Sequence, residues 1–309
     1  MLKHRVITAL ILAAMLLASL SSEAAWPFSA LTLIFITAAG WEWSRLNDAP
    51  GLRALLMGAA VAGGCVYAAQ VVGLPVWDTI MVASEGLNVH PHEHGLGLPL
   101  AGFHVATGVW VFACAVWVLG GAVVLRYGTS HWRKVPEFWR RLLGLLVLVM
   151  AWLALVEIKA QGLNFLLSVL CLVWAADIGA YFGGRAFGRR KLAPGISPGK
   201  SWEGVWSGML AVCLLAAGWI WVDGHLGVDS PSLYGRLWMG LGPIGAGVAL
   251  AFLVGMSVVG DLFESLMKRQ AGVKDSSQLL PGHGGVLDRI DALLPTLPLT
   301  LAVLTLCHA

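Results

Sequence analysis

The length and number of its apolar segments limit how this 309-residue chain can fold. A helix needs about 20 apolar residues to cross the ~30 Å hydrocarbon core of a bilayer. Nine apolar runs approach that length, near residues 6–22, 27–44, 53–74, 100–125, 142–158, 163–182, 203–222, 241–260 and 292–307. Helices are expected because lipid offers the backbone no hydrogen-bond partners and the runs lack the alternation of barrel strands. The sequence therefore predicts an all-α, polytopic integral membrane protein with about nine transmembrane helices.

The composition excludes several other classes of protein. Hydrophobic residues make up 58% of the chain and charged residues only 12%, whereas a soluble domain is about 25% charged. A secreted disulfide module, a disordered tail and an ordinary cytosolic enzyme are therefore excluded. The five cysteines lie singly in apolar runs, so neither disulfides nor a thiolate metal site is expected. A net charge of +3 gives no indication of nucleic-acid binding.

The distribution of basic residues predicts the orientation in the membrane. With the N-terminus inside, the inner segments hold 18 of the 20 lysines and arginines, and only Lys159 and Arg236 lie outside. This asymmetry is what the positive-inside rule describes, so a cytoplasmic N-terminus is expected. Residues 1–25 also fit an alternative, a cleaved signal peptide, because Lys3 and Arg5 precede the first apolar run. Cleavage there would leave the rest of the topology unchanged.

The polar residues that could take part in catalysis or ligand binding are concentrated in the C-terminal half of the chain. We therefore divide the chain into N-terminal transmembrane helices, residues 1–140, and a C-terminal transmembrane catalytic region, residues 141–309. Residues 174–204 combine several glycines with basic residues, a composition that suits anion binding, although the GxxxxGK[ST] spacing of a phosphate loop is absent. A basic inner loop without a binding role would look similar. Asp177 favours a site, because a carboxylate in an apolar run usually faces a polar cavity.

Residues 260–291 form the second polar block. Asp261 is predicted to end one span, and Asp288 to open the last span, with Asp291 one turn further on. Mg²⁺ takes a few carboxylate oxygens and completes its shell with phosphate and water. The basic residues nearby would neutralise the remaining phosphate charge. As an alternative, Asp291 would simply cap the last helix and pair with Arg289.

Both blocks carry a family resemblance. SLMKRQAGVKDSSQLLPGHGGVLDRID, residues 265–291, resembles the signature of the phosphatidate cytidylyltransferases (CDP-diacylglycerol synthases). DIGAYFGGRAFGRRKLAPGISPGKSWEG, residues 177–204, resembles the other patterned block of that family. The resemblance implies a bacterial inner-membrane enzyme of phospholipid biosynthesis. It would convert CTP and phosphatidate into CDP-diacylglycerol and pyrophosphate on the cytoplasmic side, with Mg²⁺, a K⁺ ion sharing the site, and a homodimeric assembly.

The resemblance also implies roles for individual residues. Asp261 and Asp288 occupy the metal-binding positions, and Asp177 and Asp291 are the next candidates. The residues expected in catalysis are Asp261, Asp288, Lys268, Arg269 and Arg289. Those expected to bind substrate phosphates are Lys200, Ser201, Ser197, Ser265, Lys274 and His283. No protein nucleophile is needed, because a phosphate monoester with a second pKa of ~6 is already a competent nucleophile at neutral pH.

Two other functions remain open from the sequence. A CTP-dependent kinase for a polyprenol-type alcohol would share the topology and the metal requirement, but it would need a base for the hydroxyl acceptor. A transporter or metal-handling protein would use the outer histidine segment, residues 85–104. Its candidate zinc ligands are Glu85, His90, His92, Glu93, His94 and His104. Loop histidines without a binding role are commoner, so the enzyme is the favoured interpretation.

Overall fold

The computed structural model describes residues 2–77 and 105–307, and the outer histidine segment lies outside them. The helices are α1 Leu2–Leu20, α2 Trp26–Leu46, α3 Leu52–Val72, α4 Thr107–Ala115, α5 Gly121–Trp132, α6 Glu137–Ala160, α7 Leu163–Phe187, α8 Trp202–His225, α9 Leu233–Gln270, α10 Leu287–Ile290 and α11 Leu293–Cys307. A π-helical segment, Val116–Gly120, joins α4 to α5. A short antiparallel hairpin, β1 Lys191–Ala193 and β2 Ser197–Ser201, connects α7 to α8.

The architecture confirms an all-α membrane protein. Within the described residues, six helical stretches are long and apolar enough to cross a bilayer: Leu52–Val72, Thr107–Gly128, Glu137–Ala160, Leu163–Phe187, Trp202–His225 and Leu233–Gln270. Each of the nine apolar runs of the sequence overlaps a helix in the described part of the chain, and residues 100–104 of the fourth run lie outside that part. The number of nine crossings stays a prediction.

Helix ends near the candidate site differ from the limits of the apolar runs. Asp261 directly follows the apolar run 241–260, but α9 continues to Gln270. Asp288 lies in the short helix α10, ahead of α11. Helix α9 is interrupted at Gly242, where a φ of 67° departs from helical geometry before Pro243, so its second part begins close to the predicted start of the run 241–260. The points at which these spans leave the membrane stay predictions.

An aromatic cluster fixes the polar end of α9. The ring of Phe263 lies 5.7 Å from that of Trp43, 6.0 Å from that of Trp117 and 5.2 Å from that of Trp132, measured between centroids. The Trp43 indole also donates a hydrogen bond of 3.0 Å to the carbonyl of Arg140. Because aromatic pairs in these geometries add to the stability from burial, the cluster anchors the turn of α9 that carries the candidate site residues.

Helices α7 and α8 approach each other closely through glycines. A Cβ atom at Gly183 would lie 1.9 Å from the Ser207 hydroxyl, and one at Gly208 would lie 2.6 Å from the carbonyl oxygen of Ala176. Only glycine fits these contacts without movement of the helices. The close approach brings the polar ends of the two helices to one side of α9.

Candidate active site

A cavity of about 480 Å³ lies between α7, α8 with its preceding strand β2, and α9. The cavity has four charged lining residues. They are Asp177 and Arg185 on α7, Lys200 on β2, and Asp261 on α9. Apolar residues line the part that extends along the helices, among them Ala176, Val205, Val254 and Val258. A cavity of this kind suits an amphiphilic ligand with an anionic head.

An ion pair occupies the charged part of the cavity. The Lys200 ammonium lies 2.6 Å from a carboxylate oxygen of Asp261, and the Ser265 hydroxyl donates to the other oxygen at 3.2 Å. The side chains of Lys200 and Asp261 are 25% and 31% exposed. The structure therefore brings together three predicted site residues from β2 and α9, where a ligand can reach them.

Asp288 has different surroundings, because neighbouring donors occupy both of its oxygens. Its Oδ2 accepts hydrogen bonds from the Ser276 N–H and hydroxyl, both at 2.9 Å, and from the Gly285 N–H at 2.8 Å. The Lys268 ammonium lies 2.7 Å from Oδ1. Burial alone would raise the pKa of the Asp288 carboxyl, but hydrogen bonds with Glu264, Lys268 and the backbone N–H groups lower it to about 2. Asp288 is thus held as a carboxylate and organises the loop before it.

Lys268 links two acidic side chains. Besides Asp288, its ammonium contacts a carboxyl oxygen of Glu264 one turn earlier on α9. The Lys268 side chain is 16% exposed, while that of Glu264 is almost fully buried. The pair of acids and one cation therefore joins α9 to α10 at the edge of the candidate site.

Asp291 lies close to Asp261 because Gly260 allows the backbone to approach. A Cβ atom at Gly260 would lie 2.4 Å from the Asp291 carbonyl oxygen. Burial raises the pKa of the Asp291 carboxyl well above its ordinary value, and the negative charge of Asp261 raises it further. The raised pKa favours the neutral form of the Asp291 carboxyl, which reduces its repulsion with Asp261.

The donor set suits a hard divalent cation that is shared with a ligand. Among the described residues, no group of three or more histidine, cysteine, aspartate and glutamate side chains is arranged to hold a metal ion alone. Mg²⁺ does not require such a group, since it usually takes one or two carboxylates together with substrate phosphates and water. The oxygens of Asp261, with the carboxyl group of Asp291 nearby, therefore fit Mg²⁺ held jointly with a phosphate.

Several predicted phosphate-binding residues have structural contacts. The Ser201 hydroxyl accepts the Gly204 N–H at 3.2 Å and caps α8. Arg269 Nε donates to the Ile196 carbonyl at 3.3 Å, which ties the β hairpin to α9.

The remaining predicted residues lie in or beside the loop. Arg289 Nε donates to the His283 carbonyl at 3.0 Å and closes the turn before α10. Lys274 is exposed at a second, open surface pocket, while Ser197 begins β2 and is half-buried. Their roles in phosphate binding stay predictions.

Two acidic residues of this region received no role from the sequence. Glu264 pairs with Lys268, and Glu42 on α2 is fully buried against the loop before α10. Glu42 interrupts one of the predicted apolar runs, and an ionisable residue in a span is expensive unless it has polar partners. That interruption is the signal that could have identified it.

Comparison with known proteins identifies the family of this chain. A model of the cytidylyltransferase family matches residues 3–307. The chain is 40% identical to a phosphatidate cytidylyltransferase of Pseudomonas aeruginosa over 98% of this chain and 97% of the relative. It is 36% identical to one of Haemophilus influenzae over 96% of each chain, and 43% identical to one of Brucella suis over 43% of each. The matches span both halves of the sequence, including the N-terminal helices that show little pattern. The chain belongs to the cytidylyltransferase family.

Proposed function

We propose that this protein transfers the cytidylyl group of CTP to phosphatidate, forming CDP-diacylglycerol and pyrophosphate for phospholipid biosynthesis. The near full-length similarity to phosphatidate cytidylyltransferases supports the reaction. The observation that carries it in the structure is the cavity in which the Lys200–Asp261 pair adjoins apolar helix surface. That arrangement suits a lipid phosphate, whose head is anionic and whose chains are apolar.

The reaction needs no covalent intermediate with the protein. An oxygen of the phosphatidate phosphate attacks the α-phosphorus of CTP, the new P–O bond forms, and the bond to the β-phosphate oxygen breaks to release pyrophosphate. Repulsion between the two anions and the need for in-line alignment are the main obstacles. Fixed cations reduce the repulsion, so we assign Lys200 and Lys268 to the phosphates, with Arg269, Arg289 and Lys274 nearby. Ser197, Ser201, Ser265 and His283 are the proposed supporting polar contacts.

We assign Asp261 and Asp288 to Mg²⁺, with Asp177 and Asp291 as the next candidate ligands and an accompanying K⁺ ion in the same site. When bound, the divalent ion would neutralise negative charge on the phosphates of CTP and phosphatidate during transfer of the cytidylyl group. In the protein alone, Lys200 and Lys268 already neutralise these two carboxylates. The same lysines are therefore available to bind phosphate when another cation takes their place at the carboxylates.

The membrane placement follows from the substrates. CTP is water-soluble, whereas phosphatidate lies in the bilayer with its phosphate at the interface. We therefore propose an active site on the cytoplasmic side of the bacterial inner membrane. The nine apolar runs of the sequence are the basis for proposing nine spans with a cytoplasmic N-terminus, and the family resemblance is the basis for proposing a homodimer. The division of basic residues between the two sides supports the orientation.

A choice of acceptors tests the proposed function. Purified protein in detergent micelles is given CTP and Mg²⁺ with phosphatidate, diacylglycerol or a polyprenol, and the lipids are analysed by mass spectrometry. We expect CDP-diacylglycerol from phosphatidate and no product from either alcohol. A phosphorylated polyprenol would support the kinase instead, and no product from phosphatidate would contradict the proposal.

A further inference from the structure

Glu42 is a buried carboxylate that contacts both ends of the loop carrying Asp288. It lies on α2 with no exposed surface. At the start of the loop, the Ser277 hydroxyl donates to it, and the Ser276 hydroxyl, which also lies within reach of Asp288, is 3.1 Å away. At the end, the N–H groups of Val286 and Leu287 donate to it at 2.9 and 2.6 Å. One side chain from the N-terminal half therefore fixes two points of the loop.

We propose that Glu42 is a positioning residue, which holds residues 276–287 in the conformation that presents Asp288 to the site. The assignment of Asp288 to the site rests on the proposed function, whereas the control of loop conformation does not.

The hydrogen bonds of Glu42 and Asp288 interlock. The Ser276 hydroxyl lies within hydrogen-bond distance of both carboxylates, and the Gly285 N–H donates to Asp288 while the next N–H donates to Glu42. Loss of an acceptor oxygen at Glu42 would therefore leave buried donors unsatisfied directly beside Asp288.

The tight fit around Gly285 shows that the loop has little room to move. A Cβ atom at this position would lie 2.0 Å from the Ser276 hydroxyl and 2.4 Å from a carboxylate oxygen of Glu42. The loop backbone is thus in direct contact with the acid of α2. A displaced Glu42 side chain cannot be accommodated without moving the backbone that leads to Asp288.

The decisive variant is Glu42→Gln. It keeps the size of the side chain but replaces one acceptor oxygen by an amide NH₂ group, which is a donor and would face other donors. Glu137→Gln is the matched control, because Glu137 makes ion pairs with Arg53 and Arg141 at the start of α6, away from residues 276–287 in the sequence. Hydrogen–deuterium exchange of the substrate-free protein in detergent reports the loop directly. We expect exchange in residues 276–287 to become at least ~10-fold faster in Glu42→Gln, about 1.4 kcal/mol of lost protection, and to stay unchanged in the control.

Activity supplies the second measurement. Glu42→Gln should lower kcat at least ~10-fold and raise the Mg²⁺ concentration needed for half-maximal rate, since the variant loosens the loop around a metal-site carboxylate. A residue with a purely global structural role would lower the amount of folded protein but leave the Mg²⁺ dependence of the folded fraction unchanged. Unchanged exchange in 276–287, or a kcat and Mg²⁺ dependence within threefold of wild type, would overturn the proposal.

Ser277→Ala guards against misfolding of the first variant, because it removes one donor to Glu42 and leaves α2 intact. Effects transmitted through the same hydrogen bond are not additive, so the double variant should be little worse than Glu42→Gln alone. If the double variant instead lost activity by the product of the two single losses, the two residues would not act through the same hydrogen bond. An inactive wild-type protein would refute the proposed function, while the exchange experiment would still decide the role of Glu42.

Discussion

The replacement of Asp261 and of Asp288 by asparagine should have different consequences for stability but similar consequences for turnover. The change to asparagine keeps the shape of either side chain and one carbonyl oxygen, and it removes the negative charge that Mg²⁺ prefers. Turnover should fall at least a hundredfold in each variant, roughly 2.7 kcal/mol of activation barrier.

The stability difference follows from the surroundings of the two carboxylates. Asp261 makes a partly exposed ion pair with Lys200 and accepts one hydroxyl, and pairs of this kind contribute only about 0–1 kcal/mol. Asp288 is 6% exposed and accepts four contacts from Lys268, Ser276 and Gly285. The amide NH₂ group of an asparagine there must face a donor, so hydrogen bonds to the charged carboxylate are lost. Hydrogen bonds to a charged group contribute about 1.5–3 kcal/mol to the free energy of unfolding.

Thermal unfolding in detergent and initial rates at several Mg²⁺ concentrations test both statements. Asp261→Asn should unfold close to wild type and regain some activity at high Mg²⁺, whereas Asp288→Asn should unfold at a clearly lower temperature. Normal turnover in both variants at ordinary Mg²⁺ would refute the metal assignment. An equal loss of stability in both would refute the account of their different surroundings.

Three further predictions concern topology, the outer segment and helix packing. In intact cells and a cysteine-free background, an impermeant reagent should label Asn88→Cys but not Lys200→Cys until the cells are permeabilised; labelling at 200 from outside would contradict the orientation. Alanine at His90, His92 and His94 together should leave specific activity within a few-fold, and a hundredfold loss in folded protein would favour the metal-handling function. Gly208→Val should destabilise the protein by about 1–3 kcal/mol in thermal unfolding, because its Cβ would meet the Ala176 carbonyl at 2.6 Å; an unchanged unfolding temperature would contradict the packing of α7 on α8.

The sequence predicted the helices well and their charged ends less fully. Apolar runs of sufficient length specify helices in a membrane regardless of their neighbours, so each of the nine runs overlaps a helix among the described residues. The polar end of α9 has partners elsewhere in the chain. Asp261 pairs with Lys200 from the β hairpin, and Lys268 with Asp288 from α10. Hydropathy carries no information about such pairs, so the apolar run ended at residue 260 whereas the helix continues to Gln270.

The site was predicted only in its C-terminal part for a similar reason. The signature blocks identified Lys200, Asp261 and Asp288 because each lies in a dense local pattern. The hydrogen bond between Ser276 and Glu42 spans 234 positions of sequence, so no local pattern connects them. An acid within an apolar run indicates that a partner exists, and only the fold shows which one.

The fate of the two ends of CTP tests the central claim most directly. Purified protein is incubated with phosphatidate and CTP labelled at the α-phosphate or, separately, at the γ-phosphate. Transfer of a cytidylyl group requires the α-label to enter the lipid and the γ-label to leave in pyrophosphate. A lipid product that carries the γ-label, with the α-label left in CDP, would contradict nucleotide transfer and establish phosphoryl transfer instead.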